Sequence, residues 1–138
     1  MTLTEALSRL AAAPPKLFTR ERRALVESLQ KAGQTKVARS IRARRAPTVA
    51  VWVANRLATR YRKALDGLVS AADRLKAAQL GRPGAAGLSQ AMAIYRASLD
   101  RFLDHGRALV NESGAANTEQ VLSRVERTVT AEIGRAHV

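Results

Sequence analysis

Cysteine is absent from the 138-residue chain, which excludes disulfides, thiolate metal ligands and a cysteine nucleophile. Aromatic side chains are nearly as scarce, with one Trp, two Tyr and two Phe. A core with so few rings must be thin and close-packed around alanine and leucine. Acids are few: eleven Asp and Glu face twenty-four Lys and Arg, for a formal net charge of +13. No apolar run approaches the ~20 residues of a membrane span. The opening residues, Met1 to Leu7, lack the basic start and apolar stretch of a secretory signal. A cytoplasmic location follows as the expectation, at the nucleoid if the partner is DNA, with no membrane role.

The usual catalytic signatures are missing too. There is no P-loop, no GxGxxG, no GxSxG and no Glu-x-x-His pattern of di-iron bundles. His105 and His137 stand far apart, and the adjacent Asp104 and His105 point about 100° apart on a helix, too far to act alone as a dyad. Asp100 and Asp104 are one turn apart, as paired carboxylate ligands would be. Arg96, Arg101 and Arg107 lie three or four positions from one or the other, so surface ion pairs are the expected role. The chain therefore reads as a non-enzyme with no catalytic residues, no cofactor and no metal.

What is present is helix-forming composition, rich in alanine, leucine and arginine, with no alternating β-branched run that would build a sheet. The punctuation predicts an all-α, compact bundle of about six helices forming one domain over residues 1–138. Thr2 with Glu5 is a capping box opening a first helix with Leu3, Leu7 and Leu10 on one face, stopped at Pro14-Pro15. Thr19 is expected to cap a second helix, ended by Gly33, and Thr35 a third that ends before Pro47. Thr48 caps one long central helix to about residue 80, with a kink or short loop allowed at 61–67. A glycine-rich turn at 81–87 precedes a fifth helix with a seam of Leu88, Met92, Tyr95, Leu99, Phe102 and Leu109. Asn117 with Gln120 starts the last, whose inward face is Val121, Leu122, Val125, Val129 and Ile133.

The charge is unevenly placed. Residues 16–63 hold fourteen Lys and Arg but only Glu21 and Glu27, a balance of +12, whereas residues 64–138 carry nine basic and eight acidic. Nineteen Arg against five Lys fits a GC-rich coding bias. That bias has no bearing on why acids fail to balance bases in one third of the chain. A field this lopsided attracts polyanions. Residues 64–138 read as the scaffold beneath a basic face.

On a helical wheel, Lys36, Arg39 and Arg42 fan over the side of the third helix opposite Val37 and Ile41, with Arg44 and Arg45 at its end, where the helix dipole favours cations. On the fourth helix, Arg56, Arg60 and Lys63 form a stripe with Trp52 one turn earlier. Trp52 carries two readings: a large indole buried by a neighbouring helix, or an exposed ring stacking on a base. Arg20 and Arg23 complete the basic set. Helices two and three, joined through Gly33, do not fit the standard helix-turn-helix. The positions about six and nine after the glycine, inward in that motif, are Arg39 and Arg42.

The stretch Arg45-Ala-Pro-Thr-Val-Ala-Val-Trp-Val-Ala-Asn-Arg-Leu-Ala-Thr-Arg60 resembles the R/K-x-P-T-x-x-A-W-x-x-N-x-L-A-R core of a group of small helical proteins from GC-rich, actinobacterial-type bacteria. Phe18 to Arg23, Leu29 to Gly33 and Leu109 to Thr128 are similar in kind, and Val51 departs from that core, where alanine is usual. The resemblance implies the helical fold and implies no activity. Within it, Pro47, Thr48, Trp52 and Asn55 are expected to form a structural corner, with Asn55 bonding the preceding turn in preference to the alternative of reading a base directly. The function expected from the residues is nucleic-acid binding, DNA before RNA, through phosphates and with little sequence specificity. Its residues are Arg20, Arg23, Lys36, Arg39, Arg42, Arg44, Arg45, Trp52, Arg56, Arg60 and Lys63. The alternative is a helical adaptor whose basic face docks an acidic protein, or a homodimer that buries Trp52.

Overall fold

Caps and glycines set most of the helix ends in the computed structural model, which describes residues 1–136. Helix α1 (Leu3–Ala12) opens as its capping box predicts, the Glu5 amide donating to Thr2 Oγ1 at 3.1 Å. The Pro14-Pro15 pair does more than stop it. Proline's fixed φ starts a short 3-10 turn at Pro15–Leu17, which runs directly into α2 (Phe18–Lys31). Thr19 therefore lies inside the first turn of α2 and does not cap it.

Gly33, at φ 76°, closes α2 in the left-handed region, where glycine bears no Cβ penalty. The Gln34 amide then donates to Leu29 O at 2.9 Å, and the Gln34 side chain to Met1 O at 2.6 Å. The connector is used to finish α2 and tie down the N-terminus. Helix α3 (Thr35–Arg42) consequently begins at Thr35 itself, with no side-chain cap.

The expected long helix over 48–80 is two helices. Helix α4 (Val49–Arg60) is capped by Thr48 Oγ1, which accepts from the Val51 amide at 3.2 Å. It ends at Tyr61, whose φ of −119° and ψ of 43° are outside the helical region, and α5 (Arg62–Gln79) follows at once. Gly67 lies inside α5 without breaking it. The break has a tertiary cause. Helix α4 packs on both α6 (Leu88–Ser113) and α7 (Thr118–Ala136), whereas α5 packs along α6. One straight rod cannot follow both directions. Tyr61 is held at the corner by stacking on His105, with ring centroids 4.2 Å apart and an 18° tilt.

Buried apolar residues separate into two clusters. One joins α1 to α3 around Leu10, Phe18, Leu29 and Ile41; the other joins α4 to α7 around Trp52, Leu57, Phe102 and Val125. The clusters divide at the 43–48 connector, while the charge divides near residue 63. Helix α4 is basic in sequence yet belongs with the C-terminal bundle.

The seam of α6 also differs from the expected one. Leu88 and Met92 are 48% and 43% exposed, and the buried positions are Ala91, Ser98, Phe102, Gly106, Leu109, Val110 and Ser113. Small side chains let the neighbouring helices approach closely. A Cβ on Gly106 would lie 3.1 Å from Leu122 Cδ2 and 3.7 Å from Leu57 Cδ1. On α1, likewise, Ala6 and Leu10 face inward and Leu3 is exposed.

Candidate nucleic-acid interface

The third helix presents its cations as the wheel predicts. Ala38 and Ile41 are buried, so Lys36, Arg39 and Arg42 emerge on the other side, all exposed. Arg20 and Arg23 on α2, and Arg44 and Arg45 in the connector, are exposed as well. Among the described residues none of these seven side chains has an acid within ion-pair reach. With no acid in salt-bridge contact, their charge projects outward as a field.

Arg22 supplies a contact that sequence reading missed. Its Nη1 donates to Arg44 O at 2.6 Å, and its guanidinium lies 5.5 Å from the centre of the Phe18 ring. The carbonyl it satisfies lies just beyond the end of α3, where helical carbonyls lose their partners. The connector is thus pinned to α2, and Arg44 and Arg45 are held beside the α3 face. Arg22, Arg23 and Arg42 converge on a groove of about 340 Å³, which also includes Glu27 and Gln30. The only sequence signal for Arg22 was its membership of the basic run, since its partner is 22 residues away.

The fourth-helix stripe does not form one continuous exposed face. Trp52 is 1% exposed and belongs to the C-terminal core, so no base can stack on it there. The reason is the packing of α4 on two sides: Val53 and Leu57 face α6 near Gly106, and Trp52 lies against a cleft shared with α1 and Phe18. Lys63 falls beyond the Tyr61 break, on α5, and leaves the register shared by Arg56 and Arg60. Arg56 is half-buried. Arg60 pairs with Glu112 at 3.0 Å, which neutralises it locally. The exposed cations without an ion-pair partner among the described residues that lie together are therefore those of α2, α3 and the connector.

Beside that face lies a cleft of about 320 Å³ between α1 and α4, lined on one side by Leu7, Leu10, Ala11 and Phe18 and on the other by Arg44, Arg45, Pro47, Trp52 and Asn55. The Trp52 Nε1 is buried without a hydrogen-bond partner among the described residues. A lost donor of this kind costs about 1–3 kcal/mol. Asn55 is exposed, and its side chain does not bond the preceding turn as expected; its backbone carbonyl accepts from Thr59 Oγ1 at 3.1 Å.

Elsewhere the polar groups do structural work. Arg107 pairs with Glu119 across α6 and α7, and Arg62 with Asp66 along α5 at 3.2 Å. The ion pairs expected for Asp100 and Asp104 are not formed: Arg107 is engaged by Glu119, and Arg101 donates to Ser98 Oγ at 3.4 Å. Among the described residues no three His, Cys, Asp or Glu side chains are grouped to hold a metal ion, and no helix is long and apolar enough to cross a membrane. His137 lies outside the described residues. No protein-family model matches the chain, and no match is found among curated proteins or solved structures.

Proposed function

We propose that the protein binds nucleic acid, DNA before RNA, through the phosphate backbone, using the cationic face of α2, α3 and the 43–48 connector. The observation that carries this reading is the set of seven exposed Lys and Arg side chains there with no acid in ion-pair reach among the described residues. Guanidinium forks suit phosphate oxygens, and backbone contacts position a protein without reading sequence. Low sequence specificity follows, and the nucleoid is the compartment a DNA-bound form would occupy. The homodimer that buries Trp52 is not needed to cover that ring, because the chain's own core does so.

Affinity for duplex DNA, measured across a salt series, tests the proposal. Log–log plots fall with a slope of about −0.9 for each phosphate neutralised. Binding absent at ~50 mM salt overturns the reading. A stoichiometric complex with an acidic protein that survives nuclease treatment would favour the adaptor instead.

A further inference from the structure

We propose that the cleft between α1 and α4 takes one unpaired nucleobase, so that the preferred ligand is a single strand or a locally opened duplex. The proposal rests on the phosphate-binding reading of the adjacent face. Arg44 and Arg45 belong to both places, so a strand whose phosphates lie on the connector carries its bases past the mouth of the cleft.

The lining has the chemistry of a base site. At about 320 Å³ it lies at the small end of ligand pockets, which span roughly 300–1,000 Å³. That favours a single ring system over a long chain. Leu7, Phe18 and Pro47 supply apolar contact for the faces of a ring. Its edge needs hydrogen bonds, and two groups are unengaged. Trp52 Nε1 is a donor with no acceptor, and the Asn55 carboxamide, one turn along α4, offers both a donor and an acceptor. Within a duplex the base edges are paired and the faces stacked, so an intact double helix cannot fill this cleft. An unpaired or extruded base can. Nε1 is closed to water, so a ligand that reaches it must shift the side chains over it. The chain's one tryptophan reports that shift.

The test compares oligothymidylate with an abasic strand of equal phosphate number and with a duplex, at constant ionic strength. Affinity is read by anisotropy of the labelled strand and cleft occupancy by Trp52 emission. Oligothymidylate binds about tenfold tighter than the abasic strand, a gain ordinary for one base contact, and only it changes Trp52 emission. Ala11 is exposed on the cleft lining, so Ala11→Phe fills the space without entering the core. It brings oligothymidylate down to the abasic level and leaves abasic binding unchanged. Asn55→Ala, also at an exposed position, weakens only the base-bearing strand. Equal affinity for the two strands, or variants that weaken both alike, overturns the cleft inference while the phosphate face stands. Failure of every strand and of the duplex to bind at ~50 mM salt overturns both.

Discussion

Replacing Arg39 and Arg42 with alanine removes two exposed cations from α3 that have no acidic partner among the described residues. The opposite side of that eight-residue helix buries Ala38 and Ile41, so the truncations open no cavity. Stability stays within about 0.5 kcal/mol of wild type, as for surface substitutions remote from special features. Binding changes far more. If each side chain neutralises one phosphate, the pair contributes about 1.8 to the log–log salt slope on duplex DNA. At ~0.1 M salt the same two contacts supply about 1.8 log units, so affinity falls roughly 60-fold. Arg60→Ala is the matched control. Its guanidinium is already 3.0 Å from Glu112, so its loss removes a charge that is locally cancelled and lowers the slope by less than about 0.5. Anisotropy of a labelled duplex over a salt series measures both variants, with thermal unfolding to confirm that each is folded. An unchanged slope in the double variant, or an equal loss in Arg60→Ala, refutes the assignment of the face to α3.

Trp52→Ala leaves a large cavity and costs about 3–5 kcal/mol. Trp52→Phe also removes the unpartnered Nε1, an offsetting gain of about 1–3 kcal/mol, so its net loss in urea unfolding is about 1 kcal/mol, clearly smaller than for alanine. Gly106→Ala gains up to about 1 kcal/mol of helix propensity against a 3.1 Å approach to Leu122, and ends within about 1 kcal/mol of wild type. Gly106→Leu overfills the α4–α6–α7 junction and loses at least about 3 kcal/mol by the same assay, so equal behaviour of the two variants would contradict the close packing. Burial, and secondarily Glu126, raises the Tyr95 hydroxyl above its usual range near 10. The unfolded chain then releases this proton first, so the stability from neutral Tyr95 is full below about pH 10 and is lost as pH rises through the higher folded value. Tyr95→Phe flattens that alkaline decline, and identical pH profiles for the two proteins would rule the contribution out.

Local chemistry carried most of the helical architecture. Thr2 and Thr48 cap as their side chains dictate, Gly33 closes α2, and the inward face of α7 is the one its apolar spacing marks. The failures share a cause. Thr19 and Thr35 are good capping residues, but the Pro15 turn and the Gln34 tie give the backbone other partners. Leu88 and Met92 fit an apolar seam by spacing, yet interhelical distance decided in favour of Ala91, Ser98 and Gly106. Size and reach mattered there more than hydrophobicity.

The amino-acid sequence by itself determined that the chain is helical, that it has no thiol chemistry, and that its surplus charge is confined to one third of its length. Helix propensity, caps and charge are properties of residues and their near neighbours, and need no fold to be read. Only the tertiary structure decided which cations form a face. It divided the long helix at Tyr61, turned Trp52 into the core, gave Arg60 to Glu112 and set Arg22 under the connector. These outcomes depend on partners distant in sequence, and each contact exists only once the helices have packed against one another.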